Sequence, residues 1–157
     1  MRAAVLTVSD RVSAGQMRDS SGPALRELLL HQGYEVGEVE TVPDERDQIA
    51  GWLRRTAGSH DLLVTTGGTG LAPRDVTPQA VQDAIDYDIP GLGEVMRQRG
   101  VAQTPMSSLS RSLAGVLGST LVLALPGSEA GARESLEAVL PVLDHALSLL
   151  KGENRHS

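Results

Sequence analysis

Short apolar runs alternate along the chain with longer stretches in which apolar positions return every three or four residues. AAVLTVS at 3–9 and DLLVTT at 61–66 are nearly continuous apolar runs, the pattern of strands buried on both faces. YEVGEVETV at 34–42 alternates apolar and polar positions and predicts one half-exposed strand. GPALRELLLHQG at 22–33 predicts a helix with Pro23 in its first turn and Gly33 as its stop. RDQIAGWLRRTAG at 46–58 places Ile49, Trp52 and Leu53 on one helical face.

The second half continues the alternation. TPQAVQDAI opens a helix with Thr77 as N-cap and Pro78 at the first helical position. GLGEVMRQRG at 91–100 reads as a short helix between glycines, and LAGVLG followed by TLVLALPG predicts a hairpin whose register the pattern leaves open. Leu136, Val139, Leu140, Leu143, Leu147 and Leu150 fall at helical spacing within about 130–150 and predict a packing helix. The tail KGENRHS, 151–157, is expected to fray. Strands alternating with helices in this way specify an α/β protein with a mostly parallel sheet.

Composition narrows the picture. A chain of 157 residues with 40% hydrophobic side chains fits one domain, 1–157, that buries roughly 70% of its unfolded surface. There is no cysteine, which excludes disulfides, thiolate metal sites and a cysteine nucleophile, and which suits the cytoplasm. The apolar stretch after Met1 is too short for a signal segment, and no run approaches the ~20 residues of a membrane span. A net charge of -6 with two tyrosines, one tryptophan and no phenylalanine argues against nucleic acid as a partner. A negative protein still binds a phosphorylated small molecule where backbone amides, a few arginines or a metal ion act locally.

Three polar clusters follow predicted strands, and in open α/β sheets ligands bind beyond the carboxyl ends of the strands. They are SDRVSAGQMRDSSG, PDE at 43–45 and GGTGLAPRDVTP. Gly67, Gly68 and Gly70 allow positive φ and an amide nest for an anion, or else a tight strand-to-helix connection. No Gly-Lys-Ser/Thr follows and GxGxxG is not satisfied, so neither a P-loop nor a dinucleotide fingerprint is present. Asp75 either accepts amide hydrogen bonds at a helix start or holds magnesium beside phosphates. Asp44 reads equally as a helix-initiating residue and Asp10 as a turn former. Converging on one crevice, the three carboxylates would suit phosphoryl or nucleotidyl transfer, with Arg11 and Arg74 as candidate phosphate partners. Glu45, Ser13 and Thr69 lie near the same crevice.

TVSDRVSAG, DSSGPAL, VPDE, LLVTTGGTGLAPRDVTP, IPGLGEVMRQRG, SLSR and LALPGS, in this order, resemble the molybdenum-cofactor biosynthesis proteins of the MogA/MoaB type and the adenylyltransferase domain of gephyrin. The resemblance spans about residues 3–150. It implies a three-layer α/β/α sandwich of the molybdopterin-binding type, a homotrimer or larger assembly such as a hexamer, and binding of molybdopterin. In the MogA branch it further implies adenylylation of molybdopterin by ATP with Mg2+, the product passing to a downstream molybdate-insertion protein. Position by position it assigns Asp44 and Asp75 as catalytic, with a magnesium-binding or phosphate-orienting role. It assigns Ser9, Asp10, Gly67, Gly68, Thr69, Gly70, Ser110, Arg111, Pro126 and Gly127 to substrate and nucleotide binding. The last turn departs from the family's N-L-P-G-x-P-K pattern: Ala124 replaces the asparagine and the lysine is missing, with Arg133 one turn later as its possible stand-in. The resemblance therefore admits a MoaB-like carrier that binds the pterin without turnover, and more distantly a nucleotide-processing domain of the competence-damage type.

Overall fold

The computed structural model describes residues 1–153. In chain order it contains β1 (Arg2–Val8), α1 (Asp10–Ser13), α2 (Ser21–His31), β2 (Glu35–Val36), β3 (Glu40–Val42), α3 (Arg46–Ala57) and β4 (Leu62–Thr66). There follow α4 (Thr77–Ala84), β5 (Tyr87–Asp88), α5 (Pro90–Val101), a 3-10 turn (Pro105–Leu109), β6 (Leu113–Leu117), β7 (Thr120–Leu125) and α6 (Glu129–Leu150). The sheet order is β2-β1-β4-β7-β6-β5, with β3 also against β1. Every pair from β2 to β7 is parallel, and only β7-β6 and β6-β5 are antiparallel. The expected α/β class with a mostly parallel sheet is thus the observed one.

Side-chain alternation along the strands builds two cores. Val5, Val64 and Leu123 face α2, α5 and α6, whereas Leu6, Leu63 and Val122 face α3 and α4. Three layers result, because each helix buries a single apolar stripe and the central strands are apolar on both faces. Trp52 of α3 is fully buried and ties its indole N–H to Glu40 Oε2 of β3 at 2.6 Å. In α6, Leu136, Val139, Leu143 and Leu147 are buried while Leu140 and Leu150 pack at the margin, as their spacing predicts.

Four expectations need correction or completion. The single strand expected at 34–42 is two short ones, both paired to β1. The register runs Ala3 to Val36 and then Leu6 to Glu40, so three steps on β1 face four on its partner. The extra residue works as a bulge, and it swings the second piece so that Val42 enters the opposite core from Val36. The two-residue β5 and the short α1 went unread because neither is long enough to show a period. Thr77 is not an N-cap: it lies inside α4, and its hydroxyl donates to the Gly67 carbonyl at 2.8 Å. Of the tail expected to fray, Lys151 caps α6 and pairs with Asp61 at 3.4 Å, and residues 154–157 lie outside the described residues.

Candidate functional site

The carboxyl ends of β1, β3, β4 and β7 open onto a polar crevice of about 230 Å³. Ser9, Asp19, Asp44, Gly67, Gly68 and Asp75 line it, and among the described residues no Lys or Arg does. A wider cavity of about 480 Å³ adjoins it across the glycine loop, with Thr69, Gly70, Ser110 and Pro126 on one side and the exposed Leu71 and Met106 on the other. Gly127 lines both. Ten of the expected binding and catalytic positions therefore wall one continuous depression, and the remaining two, Asp10 and Arg111, line neither cavity.

Asp10 and Asp44 are bound to each other reciprocally. The Asp10 amide donates to Asp44 Oδ2 at 2.9 Å, and the Asp44 amide donates to Asp10 Oδ1 at 3.0 Å. Neither carboxylate is the simple turn former or helix starter that the sequence left open; together they splice the end of β1 to the end of β3. The Arg74 guanidinium completes the splice, with Nε on Asp10 Oδ2 at 3.0 Å and Nη2 on Asp10 Oδ1 at 2.9 Å and Glu45 Oε1 at 3.1 Å. Arg74, a candidate phosphate partner in the sequence, is thus neutralised by protein carboxylates. Arg11, the other candidate, is exposed and has no side-chain partner among the described residues.

These contacts split the two carboxyl groups electrostatically. Hydrogen bonding to Arg74 holds Asp10 below the ordinary aspartate value. Burial pushes Asp44 above it, and the negative charges of Asp10 and Asp75 add to that rise. Asp44 Oδ2 is taken by the Asp10 amide, while Oδ1 accepts no hydrogen bond among the described residues and lies where a side chain on Gly68 would be 3.2 Å away.

The glycine loop is shaped by close approach. Gly67 and Gly68 have φ of +104° and +72°; a Cβ on Gly67 would strike the Val8 carbonyl, and one on Gly68 the Thr77 hydroxyl. Gly70 departs from expectation, since its φ is not positive; its hydrogen leaves room for Asp75, whose Oδ2 would lie 2.8 Å from a Cβ there. Asp75 is no helix cap. Its Oδ2 accepts the Ala72 N–H at 3.0 Å, while the Asp75 N–H donates to the Ala72 carbonyl at 2.9 Å, closing a small turn that leaves Oδ1 without a hydrogen bond among the described residues.

The sequence underused one segment. Asp19 caps α2 from outside its first residue, with Oδ1 accepting the Gly22 N–H at 3.1 Å and Oδ2 the Thr7 hydroxyl at 2.7 Å. Ser20 and Ser21 then line the polar crevice, with Ser21 only 4% exposed and its hydroxyl without a hydrogen bond among the described residues. The signal was present as D-S-S-G-P, a capping acid before a helix-starting proline, but within the polar cluster SDRVSAGQMRDSSG no residue beyond Ser13 was singled out. Arg133, the possible stand-in for the family lysine, pairs with Glu129 at 3.7 Å and lines neither cavity.

Residues 4–145 match the family described as a probable molybdopterin binding domain. The chain belongs to this family. It is 41% identical over 152 residues to the molybdopterin adenylyltransferase of Helicobacter pylori, covering 94% of this chain and 86% of that protein. It is 42% identical over 151 residues to the molybdenum cofactor biosynthesis bifunctional protein of Synechococcus elongatus, covering 96% of this chain but only 47% of that protein. The chain thus spans about half the length of that bifunctional relative. Among solved structures, the molybdopterin biosynthesis enzyme MoaB of Thermus thermophilus is 54% identical and superposes with a TM-score of 0.90, covering 96% of both chains. Membership places the chain in molybdenum cofactor biosynthesis and agrees with the resemblance in the motifs. No helix among the described residues is long and apolar enough to cross a membrane.

Proposed function

We propose that the protein is a molybdopterin adenylyltransferase, joining molybdopterin to the adenylyl group of ATP. The observation that carries this reading is the pair Asp44 and Asp75. Each has one carboxylate oxygen free of hydrogen bonds among the described residues, in a crevice lined by Gly67 and Gly68. A free carboxylate oxygen on either side of an anion-binding loop suits a hard divalent cation whose other ligands are phosphate oxygens. Asp44 and Asp75 would hold the magnesium ion that ATP brings. When bound, that ion supplies neutralisation of charge on the transferring phosphoryl group.

The chain's own groups account for the rest. The Gly67 amide is taken by the Leu125 carbonyl at 3.0 Å, so the amides that follow it, of Gly68, Thr69 and Gly70, orient phosphate oxygens across a loop turned by the positive φ of Gly67 and Gly68. The wider cavity beside Leu71 and Met106 accepts a flat ring system, with Ser110 and Thr69 as polar contacts. A terminal phosphate oxygen of molybdopterin attacks the α-phosphorus of ATP, the bond to the β-phosphate oxygen breaks, and pyrophosphate leaves with the electron pair. The same proposal includes a homotrimeric assembly in the cytoplasm and transfer of the product to a molybdate-insertion protein.

A second reading, a binding-only carrier, is favoured by the altered last turn. Ala124 is buried within β7 where the family pattern has an asparagine, and Arg133 does not replace the missing lysine at the cavity. Incubation with molybdopterin and Mg-ATP separates the two readings. Adenylyl-molybdopterin and pyrophosphate, detected by mass spectrometry, are expected; pterin binding without either product would leave the carrier.

A further inference from the structure

Arg111 enters the sequence argument as a ligand-binding residue, yet its guanidinium is committed to the protein's own backbone. Nε and Nη2 donate to the Gly70 carbonyl at 3.0 and 2.9 Å. Nη2 also donates to the Asp75 carbonyl at 2.7 Å, and Nη1 to Gln79 Oε1 at 3.3 Å. The Arg111 main-chain N–H reaches the Thr69 carbonyl at 2.8 Å. A guanidinium has five N–H groups, and four are engaged in these contacts. The side chain is half-buried and lines neither cavity, unlike its neighbour Ser110.

The two carbonyls it grips belong to Gly70 and Asp75, the ends of the turn that carries the Asp75 carboxylate. Inside that turn the Ala72 and Asp75 amides fix the carboxylate relative to the backbone. The turn fixes the carboxylate, and Arg111 fixes the turn to α4 and to the segment before β6. We infer that Arg111 is a positioning residue, setting the Asp75 carboxylate in the crevice through the Gly70 and Asp75 carbonyls without itself touching the bound phosphates or ring. Its kinetic consequence rests on the adenylylation reading above. Lysine, a point donor, cannot reproduce the planar fork that spans both carbonyls.

The test combines a mutant cycle with a measurement that needs no turnover. Arg111→Lys is expected to lower kcat about 10- to 100-fold, as a misplaced catalytic group does, with molybdopterin Kd changed less than about threefold. In an Asp75→Asn background the same change should cost less than about threefold further, because its effect passes through Asp75. An equal loss in both backgrounds, or a Kd raised more than about tenfold, would overturn the inference. On the protein alone, hydrogen exchange followed by NMR should quicken about tenfold or more at the Ala72 and Asp75 amides in Arg111→Lys while β4 and β7 keep their protection. Unchanged exchange at those two amides would refute positioning even if the wild-type protein makes no product, so the two ideas fail separately. Should β4 and β7 lose protection as well, Gln79→Ala, which removes only the Nη1 contact, is the milder variant; it should quicken the same two amides about threefold, and no change there counts against the inference.

Discussion

Two aspartates of one crevice carry different burdens. Asp75 is held by a turn that an asparagine can preserve, since an amide oxygen still accepts the Ala72 N–H. Asp75→Asn should therefore keep the fold and keep pterin affinity within about threefold, while kcat for adenylylation falls about 100-fold or more, near 3 kcal/mol of lost transition-state stabilisation. Steady-state kinetics beside a direct binding titration decide it; unchanged kcat would make Asp75 structural. Asp44 is held charged against burial, with Asp10 and Asp75 nearby. Its folded value lies above 3.8, so the protonated form favours folding, and the ionised form at neutral pH costs stability. Asp44→Asn should raise Tm at pH 7 while lowering activity, and the gain should vanish as pH falls below 3.8, where the carboxyl is protonated in both states. Thermal melts across that range test it, and a Tm at pH 7 that falls on substitution would contradict it. Asp10 has the opposite sign: its lowered value gives stability above 3.8 that is lost in acid.

The glycine loop shows how tightly an element can be written. Gly68→Ala forces a Cβ onto the Thr77 hydroxyl at a φ of +72°, so it should cost about 1–3 kcal/mol of stability and displace the loop. Gly70→Ala meets only the Asp75 carboxylate at an ordinary φ. It should therefore lower turnover with less than about 1 kcal/mol of stability lost. Denaturant titrations of the pair, set beside their kcat values, check the contrast; equal stability losses would refute it. These glycines were legible in the sequence as a group, but the division of roles was not, because Gly70 serves a side chain five residues away and not a backbone angle. Strands and long helices were read from their periods, and β1, β4, α3 and α6 fell close to where those periods put them. What failed was too short or too nonlocal to leave a period. The bulge at 37–39 exists only relative to β1, and the Thr77 hydroxyl turns to Gly67 only because the loop folds back over α4. Asp44, Asp75 and Gly67 were expected at the site and do line the polar crevice, whereas Asp19, Ser20 and Ser21, which line it too, were not singled out because a capping run and a crevice wall share the same residue types.

At the scale of the molecule the charges pose a problem that the site must solve. The chain carries a formal charge of -6, and Asp19, Asp44 and Asp75 line a crevice that no Lys or Arg lines among the described residues. Two like unit charges about 6 Å apart repel by roughly 3 kcal/mol at an effective dielectric near 20. The start of a long helix returns only about half a unit of positive charge. Amides alone therefore do not balance several phosphate charges against these carboxylates, and a polyphosphate should enter only with its cation. ATP binding measured by titration calorimetry should weaken at least about tenfold when EDTA replaces magnesium, a loss of about 1.4 kcal/mol. The double variant Asp44→Asn with Asp75→Asn should bind metal-free ATP more tightly than the wild-type protein does, and should lose the response to magnesium. If instead the wild-type protein binds ATP equally well in EDTA, the carboxylates do not face the phosphates, and the acidic crevice belongs to some other part of the ligand.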